Sequence, residues 1–222
     1  MIYYEICREF ILSRGAEMAL AFDDSKSRFT YGDYLTWNND ERWELIDGIP
    51  YNMTPAPSTQ HQRILTELSR QFSNYLQGKP CEVFVAPFDV RLPKGGEADE
   101  AVTTVVQPDL VVVCDSTKLD KRGCRGAPDI VIEILSPYTA QKDIKIKMSL
   151  YERAGVDEFW MVYPEGKTVM VFTLQLEGRY GRPEAYTDKD EIKPSIFSEL
   201  SIVLSTVFKN TTGDNEHTVD EQ

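Results

Sequence analysis

The sequence predicts a single α/β (α+β) domain, and three observations carry that prediction. Short apolar runs of strand length recur between breaks rich in proline and glycine. Two longer stretches place their apolar residues at helical spacing. Neither an internal repeat nor a linker interrupts the 222 residues, a length that one core can serve.

Residues 30–37, TYGDYLTW, predict a short helix capped by Thr30, with Asp33 three places on. In RWELIDGIPYNM, Trp43, Leu45, Ile49, Tyr51 and Met53 alternate about Asp47-Gly48, which predicts a two-residue hairpin. Pro55 and Pro57 break the chain. Ser58 or Thr59 then caps a helix from His61 to about Leu76, and Gly78-Lys79-Pro80 stops it. Its stripe is Ile64, Leu65, Leu68, Phe72, Tyr75 and Leu76. Strands are predicted at Glu82–Leu92, Val105–Cys114 and Asp129–Leu135, separated by loops at 93–103 and 115–128. Thr139–Ala154 reads as a helix ending at Gly155. Phe159–Tyr163 and Thr168–Leu174 predict a hairpin around Pro164-Glu165-Gly166-Lys167. Residues 175–195 read as loop, and 196–208 as one short helix or strand.

The net charge of −12 makes a soluble chain whose overall field repels nucleic acid at long range. Half of that charge lies at the ends: residues 1–25 carry two basic and five acidic groups, and residues 209–222 one basic and four. Total charge is therefore a weak argument against local anion binding. Residues 1–25 are expected to be a flexible extension, 26–208 the single domain, and 209–222 a disordered acidic tail. Met18 opens MALAFDD and reads as a natural start, so residues 1–17 are expected to be a mis-assigned upstream extension that an intact-mass measurement would expose. The first residues contain Glu5 and Glu9, lack a positively charged region and do not read as a signal peptide. No apolar run approaches a membrane span. Cys7, Cys81, Cys114 and Cys124 show no metal-binding spacing and read as reduced thiols of a cytoplasmic protein.

Three residues stand out against these apolar runs. Asp109 interrupts VVQPDLVVV, on one face with Gln107, Val111 and Val113. Glu133 interrupts DIVIEIL, on one face with Asp129, Val131 and Leu135. A carboxylate inside such a run costs several kcal/mol unless it is paired or binds a metal. Two adjacent strands of this kind would bring the acids together, where they repel unless a cation or proton lies between them. Lys147 is the third. On the helical wheel it falls within the apolar arc of Ile144, Met148 and Tyr151, while Lys145, Ser149 and Glu152 lie on the solvated side. Each residue alone reads as structural, Lys147 through a pair with Asp143 or by extending past the core edge. Together they read as a hydrolytic Mg²⁺ site, because carboxylate oxygens suit a hard cation and a lysine can orient water or offset developing charge.

The ordered motifs resemble a known family. Trp43-Glu44-Leu45-Ile46-Asp47-Gly48, Pro57-Ser58 with His61-Gln62, Val106-Gln107-Pro108-Asp109, Pro128 to Pro137, Asp143 with Lys147 and Leu150-Tyr151, and Ala154-Gly155-Val156 with Phe159-Trp160 look like the Uma-type restriction endonucleases of the PD-(D/E)XK superfamily. The resemblance covers about residues 28–208. It implies a restriction-endonuclease-like core with a central mixed β-sheet flanked by helices. It also implies that Asp109, Glu133 and Glu44 hold Mg²⁺ (or Mn²⁺), and that Lys147 positions water or the transition-state phosphate. The superfamily pattern expects a lysine two residues after Glu133, where Leu135 stands; Lys147 fills that place from the following helix. The implied substrate is DNA, with RNA as a minor alternative, and the implied assembly is a homodimer. No nucleotide cofactor and no membrane are expected.

Further contacts to substrate are assigned to Gln107, to His61 and Ser58 at the helix start, and to Lys121, Arg122 and Arg125 in the 118–125 stretch of net +3. For His61 and Ser58 a surface or capping role competes, and for the basic stretch a solvated loop. Asp89 is expected to support the sheet through Arg91, and Tyr151 to be core. The rival function is a non-catalytic dimerisation or nucleic-acid- or protein-binding module on a nuclease fold.

Overall fold

A computed structural model describes residues 28–37, 41–53, 57–135 and 142–209, with backbone alone for 142–144. The expected N-terminal extension, the acidic tail beyond Lys209, the Met18 start and residues 139–141 of the second long helix lie outside the described residues.

The described residues open with α1 (Tyr31–Tyr34), whose N-cap Thr30 and Asp33 form the reciprocal capping pair read from the sequence. Strands β1 (Trp43–Ile46) and β2 (Ile49–Asn52) form the hairpin about Asp47-Gly48. Both turn residues have positive φ, 50° and 82°, as a two-residue turn matched to strand twist demands. Helix α2 (Thr59–Leu76) follows, with the Ser58 side chain accepting from the His61 N–H.

Strands β3 (Glu82–Val85), β4 (Val90–Arg91), β5 (Val105–Val106), β6 (Leu110–Val113), β7 (Leu119–Asp120), β8 (Gly123–Arg125) and β9 (Ile130–Ile134) come next. Helix α3 (Lys142–Ala154) leads to β10 (Glu158–Tyr163), β11 (Thr168–Thr173), β12 (Glu184–Thr187), β13 (Glu191–Ile192), β14 (Ile202–Val203) and α4 (Leu204–Val207). One mixed sheet has the order β2-β1-β5-β4-β8-β7, a second β12-β11-β10-β9-β6-β3, and β13 pairs with β14. The parallel pairs are β4 with β8 and β9 with β10.

Two predicted strands divide. Glu82–Leu92 becomes β3 and β4, and Val105–Cys114 becomes β5 and β6, each half in a different sheet. Pro87 and Pro108 lie at the breaks, where the missing N–H ends a ladder. Residues 115–128 form the β7–β8 hairpin rather than plain loop, because Gly123 (φ 121°) lets β8 approach the Asp89 carbonyl, which a side chain would strike at 2.2 Å. Within 93–103, Gly95 and Gly96 are exposed, but Val102 is fully buried beside Tyr31. The 175–195 stretch contains β12 and β13, and 196–208 contains both a strand and a helix.

The second sheet is buried on both faces. Leu110, Val112, Ile130, Ile132, Trp160 and Val162 face the stripe of α2. Val111, Val113, Val131, Phe159 and Met161 face the other way, toward Leu150 and Tyr151 of α3 and toward Val90, Val106 and Cys124 of the first sheet. Period two places Glu133 on this second side.

The reading of Cys81 and Cys114 as reduced thiols is corrected. Strand β3 pairs antiparallel with β6, Glu82 opposite Val113, so the two cysteines meet across the next step and form a disulfide. Cys124 is the free, buried thiol among the described residues. No helix among them is long and apolar enough to cross a membrane.

Candidate active site

Strands β6 and β9 are antiparallel neighbours with Leu110 opposite Ile132 and Val111 opposite Val131. Continuing that register one step sets Asp109 opposite Glu133. Asp109 lies just before β6, where Pro108 has ended the ladder. Its Oδ2 accepts from the Ile134 N–H at 2.8 Å and lies 3.1 Å from His61 Nε2. Glu44 arrives from β1 and is buried, and its Oε1 accepts from the Gln107 N–H at 2.9 Å.

Lys147 joins the two sheets. Its Nζ donates to Glu44 Oε1 at 3.0 Å and to Glu133 Oε1 at 2.9 Å. Tyr151, one helical turn on and fully buried, donates to the same Glu133 oxygen at 2.7 Å. The inward direction read from the helical wheel is thus correct. Partners for Lys147 come from distant strands; the side chain of Asp143 lies outside the described residues.

Two buried carboxylates share one ammonium, and Asp109 adds a third negative charge close to Glu133. Burial pushes Glu133 up to about 7; Lys147 opposes that rise, and Asp109 and Glu44 add to it. Burial alone would lower Lys147, but Glu133 and Glu44 outweigh it and hold its pKa above the ordinary lysine range. The Tyr151 hydroxyl is raised well above its usual value by burial and then by Glu133. Lys147 and Tyr151 are therefore donors here, not bases.

Each carboxylate commits one oxygen to the protein. Among the described residues, Asp109 Oδ1, Glu44 Oε2 and Glu133 Oε2 accept no hydrogen bond. Among those residues no group of three or more His, Cys, Asp or Glu is disposed to hold a metal ion by itself. Carboxylate oxygens of this kind are the ligand type that hard divalent cations take, one or two at a time with water completing the shell.

Other sequence-assigned residues fall differently. Ser58 is the α2 cap, and His61 is buried with Nε2 toward Asp109 and Nδ1 without a hydrogen-bond partner among the described residues. The Gln107 amide is fully engaged: its oxygen accepts from Arg42, and its nitrogen donates to Tyr34 and Asp89. Asp89 also accepts from Tyr31 and Tyr34 instead of pairing with Arg91, which is buried against Asp99 and Asp120. In the basic stretch, Lys118 donates to the Ala127 carbonyl, Arg122 meets Asp99 and Glu100, and Arg125 meets Asp99 and the Glu97 carbonyl. Lys121 is exposed. The stretch is largely neutralised, not a bare cationic track. Sequence reasoning assigns Arg42 no role and reads Tyr151 as core, which it is, without its bond to Glu133; Arg42 stands two residues before Glu44 and Tyr151 four after Lys147.

Residues 31–206 match the family described as "Uma2: Putative restriction endonuclease". The chain belongs to this family. The matched span contains Glu44, Asp109, Glu133 and Lys147. This Uma2 chain is 30% identical over 121 residues to "Uncharacterized protein slr1290" of Synechocystis sp. (strain ATCC 27184 / PCC 6803 / Kazusa). That match covers 54% of the Uma2 chain and 60% of the relative's length. A solved structure described as "a putative nuclease belonging to DUF820 from Anabaena variabilis ATCC 29413" superposes with a TM-score of 0.66 at 21% identity. The superposition covers 83% of the Uma2 chain and 99% of that one, so the two share a fold. The mixed α+β, nuclease-like architecture expected from the sequence is thereby established.

Proposed function

We propose that the protein is a divalent-metal-dependent endonuclease that hydrolyses DNA phosphodiester bonds. The observation that carries this reading is the buried pairing of Glu44 and Glu133 with a single Lys147, next to Asp109 on the neighbouring strand end, with one oxygen of each acid accepting no hydrogen bond among the described residues. Family membership as a nuclease supports the reaction class. Asp109 and Glu133, with Glu44, would hold Mg²⁺ or Mn²⁺. When bound, such an ion supplies Lewis-acid polarisation of the scissile phosphate.

The protein's own groups do the rest. An ammonium has three donors, and two of those on Lys147 are committed to Glu44 and Glu133. The third serves the attacking water or the phosphate oxygen that gains charge. Tyr151 fixes the Glu133 carboxylate, and the Ile134 N–H and His61 fix Asp109. Solvent protonates the leaving 3′ oxygen. Cutting both strands of a duplex calls for two copies of the site, so the working unit is a homodimer.

The test pairs wild type with Asp109→Ala, purified identically, on supercoiled plasmid, single-stranded DNA and RNA with Mg²⁺, Mn²⁺ or EDTA. Metal-dependent cutting of DNA that vanishes in Asp109→Ala supports the reading; cutting confined to RNA moves the substrate. One observation favours the rival, a non-catalytic binding module: Lys147 already pairs both glutamates. No cutting, together with a melting temperature unmoved by Mg²⁺ or Mn²⁺, would decide for the module.

A further inference from the structure

Many cations on this chain answer to carboxylates: Arg70 to Glu67, Arg91 to Asp99 and Asp120, Arg153 to Asp47, and Lys147 to its two glutamates. Arg42 does not. Its Nε and Nη2 both donate to the neutral amide oxygen of Gln107, at 3.1 and 2.9 Å. Among the described residues it forms no ion pair, and its Nη1 has no acceptor. Arg42 is half-buried, in a chain of net charge −12 with Glu41 and Glu44 beside it in sequence. A guanidinium anchored by a neutral group keeps its full charge for something else.

The anchor is itself constrained. Gln107 Nε2 donates to Asp89 Oδ1 at 2.9 Å and to the Tyr34 hydroxyl at 3.1 Å. Asp89 also accepts from the hydroxyls of Tyr31 and Tyr34. With acceptors on its nitrogen side, the amide must turn its oxygen to Arg42. The same residue's N–H holds Glu44 at 2.9 Å. Arg42 and Glu44 are two residues apart, and the hairpin ladder reaches Arg42 through the Met53 N–H to its carbonyl at 2.9 Å. Their side chains therefore leave the same face of the strand.

We propose that Arg42 is a substrate-binding residue that holds a phosphodiester of the nucleic-acid strand beside the three carboxylates, with Gln107 as its positioning residue. One edge of the planar fork is held by Gln107, and the other is presented to non-bridging phosphate oxygens. This inference rests on the nuclease reading. A fixed cation at this point answers an electrostatic need, because the acids beside it repel the strand they are to cut.

The experiment measures the Kd of a fluorescent DNA duplex over a salt series with Ca²⁺ present, gels verifying that the duplex stays intact. Wild type is compared with Arg42→Gln, with Arg42→Lys and with Arg179→Gln, a charge control on an exposed side chain. Loss of one phosphate contact lowers the slope of log K against log salt by about 0.9. Arg42→Gln is expected to show that loss and weaker binding across unrelated sequences, with an unchanged melting temperature. Arg42→Lys restores the slope, and Arg179→Gln keeps that of wild type. A wild-type slope in Arg42→Gln, or an equal fall in Arg179→Gln, overturns the inference; if wild-type cutting still depends on Asp109, the nuclease reading survives. Wild type that neither binds nor cuts nucleic acid takes both down.

Discussion

Replacing Lys147 by Met removes the cation between two buried carboxylates while keeping most of the side-chain volume. Glu44 and Glu133 are both nearly inaccessible, and the Lys147 side chain is 14% exposed, so solvent screens the pair poorly. Breaking one side of a buried ion pair costs about 3–5 kcal/mol, largely for the charge left without a partner. For a domain of this size that is a fall in melting temperature of about 6–20 °C. The loss must depend on pH. Without the ammonium that opposes its rise, Glu133 holds its proton to higher pH, so the defect is smallest near pH 5 and grows toward pH 8. Urea unfolding of wild type and Lys147→Met at both pH values measures it. A second substitution, Glu133→Gln, should return part of the stability at pH 8, since one of the two buried charges left without the cation is then gone. An equal loss at pH 5 and 8, or no loss at either, would refute the view that Lys147 compensates this carboxylate cluster.

The wild-type protein should itself lose stability as pH rises. Glu133 is raised in the folded state to about 7, so its protonated form favours folding below its ordinary carboxylate pKa, and that contribution disappears as pH climbs through about 7; chemical unfolding from pH 4.5 to 8 measures the decline, and Mn²⁺ should offset it at the upper end. Tyr151→Phe deletes the hydrogen bond to Glu133 without a cavity and should cost about 1.5–3 kcal/mol at pH 8, less at pH 5, by the same titration. His61→Ala leaves Asp109 with the Ile134 N–H as its remaining donor among the described residues and should lower kcat more than it raises KM in plasmid-nicking kinetics. Under non-reducing conditions the intact mass should be two hydrogens below that of the reduced chain, and reduction of Cys81–Cys114, which spans 33 residues, should lower stability by about 3–4 kcal/mol in urea unfolding.

The local grammar of the chain was legible where neighbours in sequence decide the outcome. Asp47-Gly48 specified its turn, Thr30 and Ser58 their helix starts, and the angle of Lys147 on α3 its inward direction. The expectation that two adjacent strands would bring Asp109 and Glu133 together holds, although Asp109 lies just before its strand and not within it. The sites of failure lie where a distant segment intervenes. Glu82–Leu92 and Val105–Cys114 read as single strands despite Pro87 and Pro108, and only the pairing of β4 with β5 and β8 explains why their halves enter different sheets. The importance of Arg42 depends on Gln107, 65 residues away, and the reach of Asp89 depends on two tyrosines in α1. The disulfide depends on the register between β3 and β6, which spacing along the chain does not disclose.

The exposed turn at Gly95-Gly96 divides this machinery in an unusual way. Arg42, Glu44 and His61 precede it, whereas Gln107, Asp109, Glu133 and Lys147 follow it. The pairings β1 with β5, β4 with β8 and β3 with β6 all cross that point, so both six-stranded sheets are woven from both halves. Cys81 and Cys114 lie on opposite sides as well. A protease nick at this turn would therefore yield two pieces that stay clasped by strands and one covalent tie. Neither piece carries the full set of groups, so nuclease activity would report on their reunion, with reductant as the release.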